Sequence, residues 1–276
     1  MDRTKKLRTL LVAGVISLAN NFALATDENC IEKHSQAWCL LDLASLSKGA
    51  REVPLSDLKD AFTKSGVNLN TTENSVNKGD LVMSGISYLD AGVLSNFFSA
   101  GWFFLAFNNN KPVGSTMQFF VILPKSEIID NNPRLTAEQA LMNAILKQFK
   151  IEQPAALKEY EHKHFFGTEL RREYTFFGGR CGDIGCEYRS TFVATSGLAA
   201  PKILDKTPSW IGGNEVHIWT SYFPNVRLTN SIQRTALKIE DYPGLMKNLP
   251  KWFYLYQPGD TPFILNSEGV MFLVKK

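Results

Sequence analysis

Four cysteines stand in two close pairs, Cys30 with Cys39 and Cys181 with Cys186. The second pair lies in GGRCGDIGC, residues 178–186, where four glycines and two cysteines share nine positions. A bridge across so short a span forces the chain to double back. The flanking segments, Leu170 to Phe177 and Glu187 to Thr195, are aromatic and β-branched. Together they read as two strands of a hairpin with the cysteines at its tip.

Whether such cysteines pair depends on compartment, and the chain begins with an address. Arg3, Lys5, Lys6 and Arg8 precede an uncharged run from Leu10 to Ala19, followed by Ala23-Leu24-Ala25. This is the layout of a secretory signal peptide over residues 1–25, with cleavage expected after Ala25. The apolar run is shorter than the roughly 20 residues a membrane-spanning helix needs. In an oxidising compartment an even number of cysteines favours disulfides. Proximity favours Cys30–Cys39 and Cys181–Cys186. The alternative pairing would tie the N-terminal segment to the Cys181 loop.

Zinc is the competing use of these thiols, because Cys30-x3-His34-x4-Cys39 offers three ligands. Structural zinc draws on tighter pairs such as C-x2-C, which are absent from this sequence. A thioredoxin-type redox site wants C-x-x-C, and Cys181-Gly-Asp-Ile-Gly-Cys186 has the wrong spacing. The fixed loop instead presents Arg180, Asp183 and Ile184 as candidates for contact with a partner.

Export also changes the charge. Removing Arg3, Lys5, Lys6, Arg8 and Asp2 takes four of 30 basic and one of 27 acidic residues, leaving 26 of each. A neutral chain has no global field to draw in nucleic acid, so no nucleic-acid partner is expected. Arg171-Arg172 is read as a solvated edge. Residues 26–276 suit a single α+β domain, with two lobes meeting near 151–165 as the alternative.

Helices are expected mainly in the N-terminal half. One is expected over 33–47. A second follows Pro54, with Ser56 as its cap and Gly66 as its stop. A third spans Pro133 to Lys150, with Thr136-x-x-Gln139 as a capping box and Ala140, Leu141, Ala144, Ile145 and Phe149 as its apolar face. PAALKEYE, from Pro154, reads as a short fourth. The apolar stretch 81–107 contains Asp90, Asn96 and several glycines, which argue against a membrane span. Core elements are favoured there, with membrane contact through 86–107 the less favoured reading. Residues 102–107 and 116–123 have strand composition and are expected to form a hairpin.

The C-terminal half reads as antiparallel sheet. EVHIWTSYF, residues 215–223, alternates Val216, Ile218, Thr220 and Tyr222 against His217, Trp219, Ser221 and Phe223. Asn225 to Ser231 is expected to pair beside it. WFYLYQ, PFILN and VMFLV, separated by Pro-Gly-Asp and Ser-Glu-Gly, read as a terminal meander. The fold class is therefore α+β.

Catalytic signals are weak. His162 and His164 lie beside Glu159 and Glu161 and are weak metal candidates. On a strand, positions i and i+2 share a side; on a helix they lie about 200° apart and diverge. The helical reading of PAALKEYE favours divergence. His217 is a weak acid–base candidate with no partner named by the sequence. There is no G-x-S-x-G elbow or phosphate loop. S-x-x-K occurs at Ser45–Lys48 and Ser56–Lys59. Lys206-Thr-Pro208, however, has proline where the matching K-T-G element of penicillin-recognising enzymes needs glycine. No cofactor is implied.

These features point to an exported, non-enzymatic binding or accessory protein, periplasmic in a bacterium, acting on a protein partner or an apolar ligand. An exported hydrolase with dispersed catalytic residues and a membrane-associated envelope protein are the alternatives. The exported product should begin at Thr26 on N-terminal sequencing. Mass analysis after alkylation without reductant should find no labelled cysteine, and a labelled Cys181 would remove the clip.

Overall fold

The computed structural model describes residues 28–64, 118–151, 156–164, 167–189, 202–222, 226–229, 236–237, 241–259 and 262–276. Helices α1 (Cys30–Lys33), α2 (Gln36–Leu43) and α3 (Leu55–Lys64) come first. They are followed by β1 (Gln118–Pro124), α4 (Pro133–Phe149), β2 (Ala156–His164), β3 (Gly167–Gly178) and β4 (Gly182–Arg189). The chain continues through β5 (Lys202–Leu204), β6 (Val216–Tyr222), β7 (Val226–Leu228) and α5 (Tyr242–Asn248). It ends in β8 (Phe253–Gln257), β9 (Phe263–Asn266) and β10 (Gly269–Phe272). The fold is mixed α+β, with helices concentrated toward the N-terminal half and strands toward the C-terminal half.

β1 reads QFFVILP, an almost unbroken apolar run, because the strand is covered on both faces. It lies inside a six-stranded antiparallel sheet of order β10-β9-β8-β1-β6-β5. Phe119, Val121 and Leu123 join Trp219, Phe253, Leu255 and Leu265 in one core. α4 (Leu141, Ala144, Ile145, Phe149) and α5 (Leu245, Met246) contribute to that same core. Phe120 and Ile122 belong to a second core with Ile218, Tyr256, Ile264 and Met271. Ala37, Leu40, Leu41 and Ala44 of the α2 segment cover it. The alternation expected for β6 holds, since Val216 and Ile218 lie in the second core and Trp219 in the first. The terminal meander is also present, as β8, β9 and β10.

A second antiparallel sheet has the order β2-β3-β4-β7. Its Tyr174, Phe176, Tyr188 and Val226 enter the first core, so that core draws on both sheets.

Several expectations require correction. The helix expected over 33–47 is broken at His34 and Ser35, both extended. Ser35 ends one helix by capping the next: its side chain accepts from the Trp38 N–H. Its own N–H and hydroxyl donate to Glu52 at 2.7 and 2.8 Å. Serine competes for backbone partners in this way, and the Cys30–Cys39 bridge closes the corner. α4 begins where expected, but Thr136 is not its cap. Asn132 accepts from the Leu135 N–H at 3.0 Å and Pro133 opens the helix. The Thr136 hydroxyl instead donates to the Asn132 carbonyl and accepts from the Ile129 N–H. The helix expected from Pro154 is not formed over its described part; residues 156–164 are the edge strand β2, paired along its length with β3. Tertiary pairing overrides its helical composition. Residues 226–228 pair with β4 in the second sheet and not beside β6. The segments expected at 81–107, including the strand at 102–107 and its hairpin, lie outside the described residues.

The N-terminal segment is tied to the far edge of the large sheet. Val53 forms a parallel bridge with Val274, donating to Leu273 and accepting from Lys275 at 2.9 Å each. Ile145 on α4 is fully buried beneath the large sheet. Ile145→Ala should lower the unfolding free energy by about 2–5 kcal/mol in urea titration. The exposed Gln139→Ala should change it by less than about 0.5 kcal/mol.

Candidate functional site

The two cysteine pairs are both bridged, with Cα separations of 5.9 Å for Cys30–Cys39 and 5.4 Å for Cys181–Cys186. The second bridge closes the β3–β4 hairpin as a tip in which the turn Gly179–Cys181 leads into β4. Both of its half-cystines are buried in the core shared by the two sheets. Glycine is required at two places here. A Cβ at Gly179 (φ +49°) would fall 2.0 Å from the Phe149 carbonyl oxygen at the end of α4. One at Gly185 (φ +79°) would meet the Phe177 ring at 2.6 Å. The tip is thus seated against α4, and the absence of side chains is what lets it come so close.

Arg180 is exposed, yet its side chain is anchored. Its guanidinium bonds the carboxylate of Asp241, which is 3% exposed, and lies over the Phe149 ring at 5.2 Å. Burial pushes the neighbouring Tyr242 hydroxyl up to about 12, and the Asp241 charge adds to the effect. Asp183 and Ile184 are exposed. Phe177, which the sequence reading did not single out, is exposed as well. At 57% and 61%, Phe177 and Ile184 are the two most exposed large apolar side chains described. Strand alternation sets Phe177 on the side opposite the buried Tyr174 and Phe176, and the β3–β4 register shifts between Phe176 and Gly178.

His217 sits in β6 on the Trp219 side of the strand and is 9% exposed. Its Nε2 is 3.4 Å from Glu215 Oε1, and Glu215 Oε2 is 2.8 Å from Lys125 Nζ. The hydrogen bond from Lys125 holds the Glu215 carboxyl below its ordinary value, against its partial desolvation. The same bond raises Lys125. His217 Nδ1 is buried with no hydrogen-bond partner among the described residues. The arrangement is a carboxylate-held imidazole, the part of an acid–base pair that orients the ring. Glu215 was not named from the sequence, although the strand expected there already places i and i+2 on one side.

His162 and His164 occupy alternate positions of β2, paired with Glu169 and Gly167 of β3. The helix that would have made them diverge is absent. Among the described residues no group of three or more His, Cys, Asp or Glu is placed to hold a metal ion. Among those residues, too, no helix is long and apolar enough to cross a membrane.

Among the described residues the most strongly buried charge belongs to Glu138 of α4, 0% exposed. It accepts from Arg134 at 3.0 Å, one turn earlier, and from Arg172 of β3 at 2.6 Å. Arg172 also bonds Glu159 of β2. Burial opposes the charge on Arg172, but hydrogen bonds and charge from Glu159 and Glu138 outweigh it and raise its pKa. The Arg171-Arg172 pair, read from sequence as a solvated edge, therefore contributes Arg172 to an ionic joint between α4 and the second sheet.

Removing one member of such a joint leaves an under-compensated buried charge. Arg172→Met should destabilise the protein by about 3–5 kcal/mol in chemical denaturation. Adding Glu138→Leu to that variant should recover a large part of the loss, and the double-mutant cycle measures how much.

No protein-family model matches the chain, no curated protein matches it, and no solved structure matches it.

Proposed function

We propose that this chain is an exported binding or accessory protein, periplasmic in a bacterial host, and that it engages a protein partner through the clipped end of the β3–β4 hairpin. The reading of export rests on residues 1–25, and two disulfides with no free cysteine are consistent with an oxidising compartment. One observation carries the binding reading. Phe177 and Ile184 are more than half exposed at a hairpin end that is bridged, seated on α4 and held by Arg180–Asp241. Single exposed apolar residues are ordinary on protein surfaces. These two differ in sitting on a support that is already ordered, so less conformational freedom is lost when a partner closes over them. Aromatic side chains such as Phe177 are enriched at the cores of protein interfaces.

The alternative, an exported hydrolase, is favoured by a separate observation: His217 lies beside Glu215, and its buried Nδ1 has no hydrogen-bond partner among the described residues. Acid–base work needs a reacting group within hydrogen-bond reach of that nitrogen.

A photo-crosslinking residue at position 184, with a control at the exposed Ile129, separates these readings in the exporting cell. The binding reading expects a discrete adduct from position 184, absent from position 129 and lost in Phe177→Ser. It also expects His217→Gln to leave that adduct unchanged. Equal labelling from both positions would remove the hairpin as a binding element. If His217→Gln abolished a cellular phenotype that Phe177→Ser left intact, the hydrolase reading would replace it.

A further inference from the structure

We draw no further inference here: the strongest candidate, the Lys125–Glu215–His217 cluster at the start of β6, belongs to the site already described, and no third metal-ligating group among the described residues indicates what the buried Nδ1 of His217 would meet.

Discussion

Phe119, Val121 and Leu123 point to one side of β1, Phe120 and Ile122 to the other, and all five are buried. A strand alternates its side chains, so a strand apolar at every position needs cover on both faces. The α2 segment supplies one cover and α4 with α5 the other. This requirement explains why helices distant in sequence meet on a single sheet. It also explains the tie between Val53 and Val274, which holds the α2 side of the molecule to the edge beside β10. Burial of this kind is the main favourable contribution to folding, at about 25 cal/mol per Å² of apolar surface.

α4 carries a second burden, because it touches the small sheet as well. At its C-terminal end the contact is apolar and close, with Phe149 against Phe176 and the Phe149 carbonyl above Gly179. Near its N-terminal end the contact is ionic, through Glu138 and Arg172. The two kinds of contact differ in character. Apolar packing tolerates small shifts, whereas a buried carboxylate needs its donors at fixed positions and so sets the orientation of α4 on β3. The hairpin tip inherits that orientation, since Gly179 and Arg180 rest on the end of the same helix.

Much of the architecture was legible in the chain. The terminal meander, β1, β6, α4 and the clipped hairpin all follow from period, breakers and cysteine spacing. The failures have specific causes. PAALKEYE has helical composition, yet nine consecutive pairings with β3 make residues 156–164 a strand. Ser35 looked like a helical residue and acts as a cap, because Glu52, distant in sequence, holds its N–H and hydroxyl. α5 escaped notice because Pro243 and Gly244 sit in a helix of seven residues, too short to display a period. At the candidate sites, His217 and the cysteines were visible as residues. Glu215 as a partner, Asp241 beneath Arg180 and the exposure of Phe177 were not.

The sequence by itself determined the elements with a clear pattern, β1, β6, α4 and the terminal meander, and the disulfide pairs favoured by proximity. Alternation, glycine placement and short cysteine spacing act over a few residues and need no distant partner. Only the tertiary structure decided which way Arg180 turns, where Glu138 finds its second arginine and which apolar side chains stay in water. Each of those depends on a group far along the chain, 61 residues away for Asp241 and 34 for Arg172. Charge pairing and burial act through space, and a pattern read along the chain does not contain those distances.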